Sequence, residues 1–229
     1  MCDTYKAKTF VIIMTMNIEK PNLQYKLDKI DDLQSIFNEE ASVSRIHGFN
    51  QTIASIKVKA LSIKGSKMES IVMQDVELRD CSLDDIIFSK NDLSALKVPM
   101  LSADRIEFLT CRMSGIQIYE ASLKEVFFKD TKLDLANFRF SKLKNVIFED
   151  CVLNEADFSG VEFNNTKFIN CELDGADFSN TKIAKLDLRT SRLLNIKGIS
   201  SLKGATISPT QLIVIAPQLA VEIGLEVQD

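Results

Sequence analysis

The sequence predicts an all-β solenoid, a parallel coil with four-sided turns, on the strength of three regularities. Every fifth residue from Ile53 to Leu193 is apolar, in twenty-nine consecutive places. At a hydrophobic content of 45%, chance would give that run roughly once in 10^10 trials. A helix repeats near 3.6 residues and a strand at 2, so neither explains a period of five. The place two residues before each large apolar residue holds small or aliphatic side chains, as in Cys111, Ile116, Ala121, Val126, Thr131 and Ala136, while Lys132, Lys142, Asp157, Glu162 and Asp177 fall between. Each unit of five therefore points two residues inward and three outward or into a bend. Finally, like residues recur at a spacing of twenty: Ser62, Ser82, Ser102 and Ser122, then Cys151 and Cys171, then Asp157 and Asp177. A right-angled bend every five residues closes a coil after four units and brings residues twenty apart into register.

The elements follow in chain order. Residues 1–16 read as an unstructured extension, with Met16 a candidate start; Thr9 to Met16 (TFVIIMTM) follows Lys6 and Lys8 like a signal peptide, but is short and lacks a cleavage site. Residues 17–50 are out of phase and read as an N-terminal cap, with a short amphipathic helix after Pro21 that carries Leu27, Ile30, Leu33 or Gln34, and Phe37. Residues 51–197 form the coil: about seven turns stacked at about 4.8 Å, a rod about 35 Å long, filled by Phe and Leu with no room for a channel. Gly65, Gly115, Gly160 and Gly175 share one slot with Asn145, Asn165, Asn170, Asn180 and Asn195, which marks it as a bend requiring positive φ. Residues 198–229 form a C-terminal cap in which Ser208-Pro209 starts a helix, Pro217 restarts it and Gly224 ends it. That helix is apolar on more than one stripe, so Leu212, Ile213, Ile215, Leu219 and Ile223 are expected to form a homodimer interface.

Composition narrows the function. The chain has 229 residues and 25.7 kDa, enough for a sizeable core. A net charge of -4 argues against direct binding to nucleic acid, which rewards a basic surface. Eight Gly and four Pro are few for a loop-rich enzyme. Five cysteines without a CxxC pair signal neither a disulfide framework nor zinc and suit the reducing cytoplasm. No apolar run reaches the length of a membrane span. His47 is the lone histidine and has no cysteine at ligand spacing, Cys151 and Cys171 fall in inward slots, and no GxSxG, GxGxxG or phosphate loop occurs. We therefore expect no enzyme, metal, cofactor or small-molecule substrate.

The run FEDCVLNEADFSGVEFNNTKFINCELDGADFSNTKI, with Ala156-Asp157-Phe158 and Ala176-Asp177-Phe178, resembles the A(D/N)Lxx repeat of the pentapeptide repeat family, over about residues 51 to 197. The resemblance implies a right-handed quadrilateral parallel β-helix. Through the Qnr class and the MfpA type it also implies a homodimer that binds DNA gyrase, or a related type II topoisomerase, as a duplex-DNA mimic, modulating supercoiling and giving quinolone resistance. The uninterrupted phase is similar to that of loop-free members.

Charge supplies the candidate surface. Between Glu149 and Asp177 the acids Glu149, Asp150, Glu155, Asp157, Glu162, Glu172, Asp174 and Asp177 meet only Lys167. Folded onto a twenty-residue coil, Asp134 and Asp174 share one column and Asp157 and Asp177 a second, with Glu155 between. Stacked like charges cost a few tenths of a kcal/mol each, which a sequence shaped by stability alone avoids. Asp134, Glu149, Asp150, Glu155, Asp157, Asp174 and Asp177 are therefore expected to face a cationic partner. A competing expectation is a scaffold protein that holds another partner through a β face or its terminal helix, and whose binding is insensitive to salt.

Overall fold

The computed structural model describes residues 16–39 and 42–226; apart from Met16, the extension expected at 1–16 lies outside the described residues. In chain order the elements are β1 (Asp28–Ile30), α1 (Leu33–Glu39), β2 (Ser42–Ser44), β3 (Ile46–Phe49), β4 (Thr52–Lys59), β5 (Ser62–Glu69), β6 (Val72–Arg79) and β7 (Ser82–Ser89). They continue with β8 (Ser102–Leu109), β9 (Ser122–Lys129), β10 (Lys142–Glu149), β11 (Glu162–Ile169), β12 (Lys182–Asp187), β13 (Ala205–Thr206) and α2 (Pro209–Glu222).

These form a parallel β-solenoid. Strands β5, β7, β8 and β9 pair with Ser62, Ser82, Ser102 and Ser122 in register, so the twenty-residue ladder is a physical one. The other half of each turn is strand-like at β4 and β6; from residue 91 to 180 it is a pair of tight bends tied by single bridges such as Asp157 to Asp177. Every fifth residue from Arg45 to Asn180 has φ between 50° and 70°. The corner slot therefore has the predicted backbone conformation, although Asp, Glu, Ser, Leu and Phe occupy it as well as Gly and Asn.

The turn count is about nine rather than seven, because one sheet stacks nine levels from β2 and β3 to β13. The period under-reads the N-terminal end at Gly48, which holds the slot of a large apolar residue. Leu33 of α1 fills that place from outside: a Cβ on Gly48 would lie 2.3 Å from Leu33 Cδ1. At the far end the register slips between β11 and β12, near Asn164.

The interior is two phenylalanine ladders. Phe88, Phe108, Phe128, Phe148 and Phe168 stack with centroids 4.6 to 4.9 Å apart, and Phe138, Phe158 and Phe178 stack at 5.2 and 5.3 Å. An apolar void of about 30 Å³ among Met73, Leu93, Val98 and Met113 is too small for a channel. The small inward residues do more than fill space, because backbone groups near each bend point inward and must be satisfied. Ser141 accepts from the Ala121 N–H and donates to the Ile118 carbonyl, both at 2.9 Å. Asn91, Thr131 and Ser191 play the same part on other levels.

Both ends differ from their sequence readings in detail. The helix expected after Pro21 forms only at α1, where Leu33 and Phe37 are buried; Ile30 lies instead in β1, paired to β3. Residues 19–28 run lengthwise along one corner of the coil. The Asp28 N–H donates to the Arg45 carbonyl at 2.8 Å, the Asn22 N–H to Asp85 at 3.0 Å and the Glu19 N–H to Glu125 at 2.9 Å, three successively higher levels. Asp85 and Glu125 are buried beneath this strap. Arg105 lies between them and bonds Asp85 at 2.7 Å, Asp104 at 2.8 Å and Asp84, and its guanidinium holds the Asp85 carboxyl below its ordinary pKa.

At the other end α2 begins with a complete capping box, Ser208 with Gln211, and Pro217 stands inside it without ending it. Gln211 lies twenty residues beyond Ser191 and takes over the small-slot role, donating from Nε2 to the Leu188 and Ser191 carbonyls at 2.6 Å. The helix is thus keyed to the last level of the coil.

Candidate partner-binding faces

The coil sorts charge by face. Each corner redirects the chain, so residues adjacent in sequence diverge while those twenty apart converge. Strands β9 to β12 carry Lys124, Lys129, Lys142, Lys144, Lys167, Lys182 and Lys185 against Glu125, Glu149, Glu162 and Asp187. The tight half-turns at 130–139, 150–159 and 170–179 carry Asp130, Asp134, Asp150, Glu155, Asp157, Glu172, Asp174 and Asp177 against Lys132 and Arg139. One side of this end of the rod is basic and the adjoining faces are acidic.

The predicted acids fall unevenly on that pattern. Asp157 and Asp177 are direct neighbours across adjacent levels. Asp134 and Asp174 share a column, but Asn154 separates them and its side chain accepts from the Asp174 N–H at 3.1 Å. Glu149 does not join them: the corner at Asp150 leaves it on the basic strand side, paired with Lys129 at 2.5 Å. Arg192 binds Asp174 at 2.6 Å and Arg139 lies 3.6 Å from Asp157. Asp134, Asp150, Glu155 and Asp177 have no ion pair among the described residues, and Asp150 and Glu155 are exposed. On the strand side Lys182 lowers the Glu162 pKa, as Lys67 lowers that of Glu69.

The expected dimer face divides. Ile213 is 75% exposed and Leu212 and Ile223 are also exposed, whereas Ile215 is 3% exposed and Leu219 packs against the core. Ile215 is buried and Leu219 partly buried against the core, so both hold α2 to the coil, with Ile215 on the side of the helix opposite Ile213. Val221 and Leu225 extend the exposed apolar set.

Among the surface residues that escaped the sequence reading, two lie beside the acidic half-turns. Leu135 is 58% and Phe140 57% exposed, and both occupy corners with positive φ. An L-residue pays about 1–2 kcal/mol for that conformation, which side chains more than half exposed offset only in part. Their signal was the apolar residue in a slot that is Gly, Asn, Asp or Glu at every other corner from Gly115 to Asn180.

Burial pushes the Cys111 thiol up to about 11, and the Cys171 thiol together with burial pushes Cys151 up as well. His47 is half-buried in β3, its Nε2 3.8 Å from Glu69. Among the described residues no three His, Cys, Asp or Glu side chains are placed to hold a metal ion, and no helix is long and apolar enough to cross a membrane.

A family model described as "Pentapeptide repeat region" matches residues 101–178 and 141–198. Residues 101–198 of the coil are a pentapeptide-repeat region. No curated protein matches the sequence. Among solved structures, the chain is similar to a trypsin-treated form of QnrB1, a plasmid-mediated fluoroquinolone resistance protein. The two share 22% identity, with 87% of this chain and 95% of that one covered, at a TM-score of 0.40. HetL, a pentapeptide repeat protein involved in heterocyst differentiation regulation from the cyanobacterium Nostoc sp. strain PCC 7120, shares 12% identity, with 72% and 89% of the two chains covered and a TM-score of 0.30.

Proposed function

We propose that the chain is a non-catalytic docking rod that occupies the DNA-binding saddle of a type II topoisomerase, such as DNA gyrase, in place of duplex DNA, and so modulates supercoiling and quinolone action in the cytoplasm. The sorting of charge by face carries this reading. Eight carboxylates less two cations over three levels, about 14 Å, amount to about one negative charge per 2.4 Å. Duplex DNA presents one per about 1.7 Å, so the half-turn faces approach its charge density before Arg192 offsets part of it. The basic strand side stays clear of the partner. Self-association through Leu212, Ile213 and Ile223 would lengthen the rod.

Gyrase supercoiling with the purified protein titrated in, with and without a quinolone, tests the proposal. Wild-type protein should inhibit or rescue supercoiling, and Asp157→Lys/Asp177→Lys should not. No effect from either at many times the enzyme's concentration overturns it. A second reading, a scaffold that grips another protein through α2, is favoured by exposed Leu212, Ile213, Val221 and Ile223. It requires binding that persists at high salt.

A further inference from the structure

We propose that Leu135 and Phe140 are apolar anchors by which the acidic half-turn faces hold a cationic protein surface. The inference rests on the topoisomerase reading for the identity of that surface.

The two residues are the consecutive corners of a single level and bracket one face of the coil. Between them Ala136 and Phe138 point inward and are fully buried, while Asn137 and Arg139 point out. Asn137 neighbours Asp157 on the next level, and Asp157 neighbours Asp177 beyond it. The apolar pair therefore flanks the column of paired acids. Phe140 also has a prepared place: a Cβ on Gly160 would fall 2.5 Å from Phe140 Cδ1, so glycine there gives the ring room to lie along the rod. Arg139 sits 5.2 Å from the ring centroid and 3.6 Å from Asp157, which ties the aromatic to the acidic column.

Folding gains little from this arrangement beyond the Phe140 ring lying over Gly160 and beside Arg139. Both side chains are more than half exposed, both hold a backbone conformation that asparagine or glycine adopts more readily, and nearby corners use those residues. A local rule broken without a folding gain marks a functional position. Exposed carboxylates speed encounter with a basic groove but give short residence, whereas buried aromatic and aliphatic anchors set the dissociation rate. The occupant that matches both features is a cationic groove with apolar pockets, such as the DNA-binding saddle of a topoisomerase.

The test is Leu135→Asn/Phe140→Asn, with Leu135→Met/Phe140→Leu as the conservative partner, measured for thermal stability and for binding kinetics to purified gyrase at two salt concentrations. The asparagine variant should melt at or above the wild-type temperature, because asparagine tolerates positive φ. It should bind about tenfold more weakly, chiefly through faster dissociation, and the Met/Leu variant should retain affinity. A purely structural role would show the reverse, a lower melting temperature with unchanged binding. Unchanged dissociation of the asparagine variant, alongside lost binding by Asp157→Lys/Asp177→Lys, removes the anchors and leaves the topoisomerase reading standing. Absence of wild-type binding at micromolar concentration removes both.

Discussion

Phe148 sits fully buried between Phe128 and Phe168, with ring centroids 4.7 and 4.6 Å away. Phe148→Ala removes both stacking contacts at once and leaves a cavity that two rigid ladders cannot close. It should cost about 3–5 kcal/mol, read as a lower urea midpoint with an unchanged slope. Ser141 makes the complementary point about polar slots. In Ser141→Ala the volume hardly changes, yet the Ala121 N–H and the Ile118 carbonyl lose their buried partner. We expect a loss of about 1–3 kcal/mol in the same titration, whereas Ala136→Ser, which adds a hydroxyl where alanine is native, should bring no comparable gain.

At the scale of elements, the strap and the C-terminal helix decide what the coil exposes. Asp85 accepts the Asn22 N–H and is held below its ordinary pKa by Arg105. Because the folded value lies below the unfolded one, the stabilisation is fully present above about pH 4 and is lost as pH falls through the folded value. Thermal melts between pH 7 and pH 2 should show that acid loss, and Asp85→Asn should flatten it while lowering stability at pH 7. Helix α2 is held by Ile215, Leu219 and Gln211 and leaves Leu212, Ile213 and Ile223 in solvent. Sedimentation should give a dimer at micromolar concentration. Leu212→Glu/Ile213→Glu/Ile223→Glu should give a folded monomer, whereas Ile215→Glu should unfold the cap.

At the scale of the molecule, stacking every twenty residues turns an alternating sequence of charges into separate faces. If the acidic half-turns contact the partner, the association rate with gyrase should fall at least about tenfold between 50 and 300 mM salt while the dissociation rate moves much less. Surface plasmon resonance at several ionic strengths reads both rates directly. Reversing Lys142 and Lys144 on the strand side should change the salt slope far less than reversing Asp157 and Asp177, since a corner turns those lysines away from the acidic column.

The period of five determined the coil, its inward slots, its corners and its twenty-residue register, because each level repeats one local geometry and local geometry is written locally. Ser62 to Ser122 and Asp157 to Asp177 paired as their spacing required. Tertiary structure alone decided what depends on chain segments meeting from far apart. Leu33 stands in for the side chain that Gly48 lacks, so the coil begins a level earlier than the period shows. Gln211 closes a column of hydrogen bonds from within a helix. The strap lies along Asp85 and Glu125 although nothing in residues 19–28 repeats with the coil. Glu149 parts from the acids beside it because the corner at Asp150 separates faces that the sequence runs together. Spacing fixes which residues share a column, but only the closed coil fixes which columns share a face.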